Sequence, residues 1–283
     1  MRAFHASRVR ASDVLAAIRR WAPRGLGAVH FTGGEPTLHR ELPALLTLCR
    51  RLGLRTGLGT NGHRLADPGY AARVGPLLDE VMVSLHGPTA KVHDRLVGRR
   101  GSFRRALATI QGLATANDGL VAVNVVATRH TVDTVGGTVA LAVDSGARFV
   151  LVSQVAPEGG ALAHYGNLAV LNDRVPGLAA EALAAARGAT VRFFGFPACL
   201  LGEARWLSND LYFSPRVTVE WADRGGGPRL VDIVSLRPDR GRAPVRACGG
   251  CAWSGACPGP FEHHARVFGT GGIVPLGVST RGT

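Results

Sequence analysis

The sequence predicts an α/β protein, a parallel sheet with covering helices followed by a smaller cysteine-rich domain. Three observations carry this. Short apolar runs alternate with helix-periodic segments from the start of the chain to residue 154, as strands joined by helical crossovers do. Strand after strand ends in glycine or polar residues, and the carboxyl ends of parallel strands form the ligand face of such folds. Four of the five cysteines, Cys199, Cys248, Cys251 and Cys257, fall in the last third.

In chain order, residues 12–22 have helical spacing behind a Ser12 or Asp13 cap. Ala28 to Phe31 is a strand that breaks into Thr32-Gly33-Gly34-Glu35-Pro36, a turn whose glycines let backbone approach a neighbour closely. Glu41 to Leu52 reads as a helix with Leu42, Leu45, Leu46, Cys49 and Leu52 on one face and Gly53 as its stop. Leu54–Thr60 is a strand ending in Thr60-Asn61-Gly62, and a weaker helix covers about Ala71–Leu78. Glu80–His86 is the third strand, Ser102–Thr115 a helix, Leu120–Ala127 a strand, Thr131–Ser145 a helix and Arg148–Gln154 a strand. After Pro157 come an alanine-rich helix at about Leu178–Arg187, a strand at Thr190–Phe194 and a hairpin from Tyr212–Trp221 and Arg229–Leu236.

The strand ends gather Gly33, Gly34 and Glu35, then Asn61, Ser84 and His86, Asn124, and Gln154. Polar residues recurring at this one end favour a shared site. The run Gly57-Leu-Gly59-Thr-Asn-Gly62 matches a dinucleotide-binding pattern. That reading needs a helix to open at the glycine loop, and Pro68-Gly69 interrupts one.

The chain has 283 residues, of which 46% are hydrophobic, enough for a full core and a small second domain. No apolar run is long enough to span a bilayer and the N-terminus lacks a signal-peptide core, so a cytoplasmic protein without membrane attachment is expected. The formal charge of +13 points toward nucleic acid, but Lys91 is the only lysine. The arginines scatter, apart from pairs such as Arg99-Arg100 and Arg104-Arg105. Nucleic-acid binding is not expected. Cys49 reads as a buried core thiol. The other four cysteines are spaced C-x48-C-x2-C-x5-C, a set that suits structural zinc or a 4Fe–4S cluster, with His263 or His264 able to replace Cys199 in a zinc site.

Phe31-Thr-Gly-Gly-Glu-Pro-Thr-Leu38, Gly59-Thr-Asn-Gly62 and Val83-Ser-Leu-His-Gly87, in this order and each at a strand end, resemble the radical S-adenosylmethionine (SAM) superfamily over about Ala11 to Pro157. The last third resembles the auxiliary-cluster domains called SPASM or twitch. Their full form continues with C-x3-C, where this chain has Phe261. The resemblance implies a partial (β/α)6 TIM-like barrel lacking its first strand over 1–157. The end of the barrel and a connecting helix would occupy 158–194, an auxiliary domain 195–268 and a flexible tail 269–283. One auxiliary 4Fe–4S cluster on Cys199, Cys248, Cys251 and Cys257 is implied. For SAM, the resemblance puts Gly33, Gly34, Glu35 and Pro36 at the methionine end, with fixing of the turn as the alternative role of Glu35, and Ser84 at the ribose. Asn61, Asn124 and Gln154 would line the site, and His86 would face substrate or a structural loop. The activity implied is generation of a 5′-deoxyadenosyl radical that modifies a peptide, protein or cofactor precursor, with a reductase, flavodoxin or ferredoxin as electron donor.

One departure matters. The family's SAM-binding 4Fe–4S cluster is held by C-x3-C-x2-C ahead of the first helix, and no cysteine precedes Cys49 here. A start codon assigned too far downstream is the favoured explanation, with lost chemistry the rival, and the chain as written is expected to be inactive. The alternative function is a non-catalytic barrel remnant that binds a nucleotide or a protein partner and holds structural zinc on the four cysteines.

Overall fold

The computed structural model describes residues 9–116, 120–223 and 228–277. Six strands, β1 (Ala28–Phe31), β2 (Arg55–Thr60), β3 (Glu80–Ser84), β4 (Leu120–Ala127), β5 (Phe149–Gln154) and β6 (Thr190–Phe194), form one parallel sheet in chain order. β1 and β6 are its edges and do not pair with each other, so the barrel is open. Helix α1 (Ala11–Trp21) precedes β1, and the later helices are α2 (Leu42–Arg51), α3 (Pro68–Val74), α4 (Ala90–Val97), α5 (Ser102–Ala116), α6 (Val135–Asp144), α7 (Gly159–Ala163), α8 (Tyr165–Leu168), α9 (Val175–Ala184) and α10 (Glu262–Phe268).

Strand parity divides the sheet into two faces. One is apolar: Leu58, Val83, Val123, Val150, Val152 and Phe193 are wholly buried in the main core, with Ile110 of α5 and Val139 of α6. The other is mixed, because parallel register stacks like on like. Ser84, Asn124, Leu151 and Arg192 form one row and Gly59, Met82, Ala122 and Phe149 another. Cys49 is fully buried with Ile18 and Leu54, a core thiol as expected.

Several local expectations shift. Helix α1 is capped by Arg10, and Asp13 sits in its first turn, accepting from the Arg10 backbone N–H at 3.3 Å. Leu52 lies beyond α2 and is exposed. Pro68 opens α3 instead of preventing a helix, because Asp67 caps it by accepting from Tyr70 N at 2.8 Å and proline is tolerated in a first turn. No helix opens at Gly62, so the dinucleotide reading fails on its own requirement. Helix α4 has no counterpart in the sequence reading. The hairpin begins at Arg216: β7 (Arg216–Asp223) and β8 (Pro228–Ser235) pair antiparallel, while Asn209–Tyr212 forms a 3-10 turn.

The hairpin is tied back to the start of the chain. Asp232 accepts from Arg20 through two bonds of 2.8 Å and from the Trp21 indole N–H at 2.9 Å. A wholly buried ion pair, Arg242 with Asp210 at 2.7 Å, joins the cysteine-rich segment to the 3-10 turn after β6, and Arg242 also donates to Gly259 O at 2.8 Å. Burial pushes the Asp210 carboxyl up while the guanidinium pulls it down. Removing one member of such a pair strands the other charge. The stretch expected as a flexible tail is anchored within 269–277: Ile273 is 5% exposed in the main core and Leu276 donates its N–H to Cys251 Sγ at 3.4 Å. The apolar residues Ile273, Val274 and Leu276 reach the cysteine cavity, which composition alone does not reveal. Residues 278–283 of that tail lie outside the described residues.

Candidate functional site

The site is built from β1 outward. After Phe31 the chain turns through Gly33 at φ 81° and Gly34 at φ 56°, left-handed conformations that favour glycine. A Cβ added at either would meet nothing within 4 Å, so backbone faces open space there. Glu35 holds the turn. Its Oε1 accepts from Thr37 N at 3.1 Å, Thr37 Oγ1 at 2.6 Å and Thr60 Oγ1 at 2.8 Å, and its Oε2 accepts from Asn61 N at 2.8 Å. One carboxylate thus fixes the ends of β1 and β2 against each other, and Pro36 starts the short 3-10 turn that it caps. Asn61 is exposed and its Oδ1 accepts from His63 N at 2.9 Å.

On the mixed face, Gly57 and Gly59 leave room for side chains of β1 and of Thr32 just after it. A Cβ on Gly57 would lie 2.3 Å from His30 Nδ1, and one on Gly59 3.0 Å from Thr32 Oγ1. Ser84, the last residue of β3, is the register partner of Asn124 within β4, and Ser153 Oγ donates to Asn124 Oδ1 at 2.8 Å. The Ser84 hydroxyl is half-buried with no protein partner among the described residues. Gln154 does not join this row. Parity turns it to the opposite face from Ser153, and its amide bonds both backbone groups of Val170, at 3.1 and 3.3 Å. Ser153, one residue earlier, takes the mouth-facing place; a parity count along β5 finds it.

His86 takes the structural alternative. Its Nδ1 accepts from Val126 N at 3.2 Å, its own N–H donates to His93 Nδ1 at 3.0 Å, and the two rings stack with centroids 5.7 Å apart. Burial, with His93 alongside, pulls its pKa down to about 4. The ring is neutral at neutral pH and pins the chain after β3 onto β4.

The four late cysteines converge. Cys199, Cys248, Cys251 and Cys257 line one cavity with Pro197, Trp253 and the three apolar residues of 273–276. They are free thiols. Ala198 N donates to Cys257 Sγ at 3.5 Å, as Leu276 N does to Cys251. Burial pushes the Cys199 thiol up, a Val274 backbone hydrogen bond opposes it, and the Cys257 and Cys248 thiols add to the rise. As placed, no three metal-ligating side chains among the described residues form a closed ligand set. The chemistry of the donors still fits a cluster: four sulfurs in an apolar pocket, two of them receiving backbone N–H bonds of the kind that tune cluster sulfurs. His264 does not substitute as a ligand, because Asn172 Oδ1 and the Tyr165 hydroxyl engage its two nitrogens at 3.0 and 3.3 Å.

Residues 4–142 match the family model described as the radical SAM superfamily. The chain carries a radical SAM domain. Among curated relatives, PqqA peptide cyclase of Ruegeria pomeroyi is 32% identical over 171 residues, 60% of this chain and 45% of that protein. The namesake of Methylocella silvestris is 33% identical over 132 residues, 47% of this chain and 35% of that protein. The chain therefore spans less than half the length of these relatives. Of solved structures, Streptococcus suis SuiB bound to S-adenosylmethionine superposes over 95% of this chain and 70% of its own, with a TM-score of 0.63 at 16% identity. The same protein bound to its precursor peptide SuiA covers 66% of this chain and 42% of its own, with a TM-score of 0.54 at 18% identity. These likenesses establish the radical SAM fold.

Proposed function

We propose that this chain is the barrel and auxiliary domain of a radical SAM enzyme that modifies a peptide. The observation that carries it is the Gly33-Gly34 turn, locked by Glu35 to Asn61, beside the unpartnered Ser84 hydroxyl in a domain matched to that superfamily. Open backbone at the turn suits the amino and carboxylate groups of the methionine end of SAM, and Ser84 with Asn124 suits its ribose. The relatives named as peptide cyclases, and the fold shared with a protein crystallised on a precursor peptide, favour a peptide over a small cofactor precursor.

In this family, SAM bound to a reduced cluster supplies a 5′-deoxyadenosyl radical that abstracts a hydrogen atom. The residues of this chain do not make that cluster's site, since Cys49, the nearest cysteine in sequence, is wholly buried on α2 against Ile18 and Leu54. No step is routed through it. The residues present bind, orient and exclude water. Cys199, Cys248, Cys251 and Cys257 would hold one auxiliary cluster, which calls for an external electron donor such as a ferredoxin or flavodoxin.

Anaerobic reconstitution with iron and sulfide should give about four irons per chain and broad visible absorbance, both lost in Cys248→Ser/Cys251→Ser. One tightly held zinc and no iron would instead favour the non-catalytic reading. The chain as written should bind SAM in equilibrium dialysis without releasing 5′-deoxyadenosine. Extension by upstream in-frame codons that encode C-x3-C-x2-C should turn binding into cleavage, with a mass change in a co-expressed peptide. An extended, iron-loaded protein that cleaves no SAM overturns the reading.

A further inference from the structure

The arginine pairs that look scattered in sequence come together at the mouth of the sheet. Arg99, in the turn between α4 and α5, donates from Nη2 to His63 Nε2 at 3.3 Å, and Arg105 of α5 donates to His63 O at 3.3 Å. Arg64, beside His63, donates to Thr37 O at 3.1 Å and lies over the Tyr70 ring. Arg100 and Arg104 are exposed chain neighbours of this set. His63 lies two residues after Asn61, just past β2, so the guanidiniums of Arg64, Arg99 and Arg105 border the strand ends of the candidate site, with Arg100 and Arg104 as their neighbours in the chain.

Among the described residues, the carboxylates of the neighbouring segments are hydrogen-bonded to backbone groups and hydroxyls instead of to these guanidiniums: Glu35 holds the glycine turn, Asp67 caps α3, and Asp94 accepts from the backbone N–H groups of Gly101 and Phe103 at 2.6 and 2.7 Å. Among the described residues, none of the five makes an ion pair, whereas Arg20, Arg50, Arg174, Arg187 and Arg240 elsewhere on the surface each meet a carboxylate. Burial and the flanking guanidiniums hold the His63 ring below its ordinary pKa, so it serves as a neutral acceptor spacing two cations. Like charges fixed this close repel one another, and an anion from outside relieves the repulsion.

We propose that this rim, centred on Arg99, Arg105 and Arg64 around His63, is a docking surface for a carboxylate-rich segment of the peptide substrate. The proposal rests on the peptide reading above. An extended acidic stretch bound here would lie beside Asn61 and lead its neighbouring residues into the mouth of the sheet. The rim fits a peptide better than single-stranded nucleic acid, which needs exposed rings for base stacking. Tyr70 is buried beneath Arg64 and Arg73, and Phe103 packs on His93.

The test is fluorescence anisotropy on the full chain with three labelled probes: a short Glu-rich peptide, its Gln counterpart, and single-stranded DNA of matched charge. The Glu-rich peptide should bind, its Gln counterpart should not, and Arg99→Gln/Arg105→Gln should weaken binding about tenfold. Arg51→Gln/Arg148→Gln, with the same charge change at the opposite end of the strands, should leave affinity unchanged, and thermal melts check that both variants fold. Equal loss in the two double variants would mean diffuse attraction to a basic protein and would overturn the surface. Tighter binding of DNA than of the Glu-rich peptide would assign the rim to nucleic acid instead. Gln-peptide binding that ignores Arg99 and Arg105 would remove the docking surface and leave the peptide reading standing. Failure of the peptide reading shows separately, as acidic-peptide binding with no mass change under the activity conditions above.

Discussion

Glu35 carries four hydrogen bonds on two oxygens, and that count decides what a substitution there does. Glutamine keeps the shape but replaces one oxygen with a donor, which must then face either the Asn61 N–H or the hydroxyl cluster of Thr37 and Thr60. Glu35→Gln should cost about 1–3 kcal/mol and weaken SAM binding, measured by denaturant titration and equilibrium dialysis on the same preparation. Unchanged stability would mean that the carboxylate does not hold the turn. The sequence made the two glycines and the acid conspicuous without saying which atom the acid serves. A carboxylate at a strand end looks the same whether it meets a ligand or its own backbone, and only the position of the next strand end decides. That Ser84 and Asn124 share one face follows from strand parity, which is local, while their pairing depends on the register of β3 with β4. Gln154 was misassigned by one position of that parity.

At the scale of elements, β2 is shaped by what it lacks. Gly57 and Gly59 present bare backbone on the mixed face, and His30 of β1 and Thr32 just after it lie across them. Gly57→Ala should displace the His30 ring, because the added Cβ falls 2.3 Å from its Nδ1. Overpacking of this kind costs about 1–3 kcal/mol. His30→Ala in the same chain should recover most of that loss, as a double-mutant cycle on melting would show; additive losses would exclude the contact. All six strands of the sheet are readable from their short apolar runs, although the edge strand β1 is only half-buried on its inner face. Helix α4 is not, because its eight residues AKVHDRLV mix charge and apolar character and only His93 is fully buried. The His86–His93 stack that seats it is a contact between two segments, and composition carries no trace of it.

Over the whole molecule, acid sensitivity follows from two buried neutral imidazoles. Burial draws both His86 and His264 down to about 4. As pH falls through about 6.5 the unfolded chain gains protons on these rings, while the folded protein resists until near 4. Their contribution is complete above about pH 6.5 and is lost on the way down to about 4, roughly 3 kcal/mol for His86. In His86→Asn the amide oxygen can still accept from Val126 N, so this variant should lose less stability than wild type between about pH 7 and about pH 4.5 in urea titrations. Parallel slopes would assign the acid limb to other groups. The wider plan, a sheet followed by a cysteine cavity, was visible in the order of elements and the spacing of thiols. The closure of that cavity by residues 273–276 was not, because a glycine-rich sequence gives no sign of the Ile273 and Leu276 contacts that hold it.

The clasp between α1 and the hairpin gives the protein an optical probe of its own. Trp21 is one of four tryptophans and donates its indole N–H to Asp232, beside the Arg20 guanidinium. Its emission therefore depends on whether a strand about two hundred residues away is in place. With Trp206, Trp221 and Trp253 replaced by phenylalanine, release of the hairpin from the sheet can be followed from α1, with no label attached.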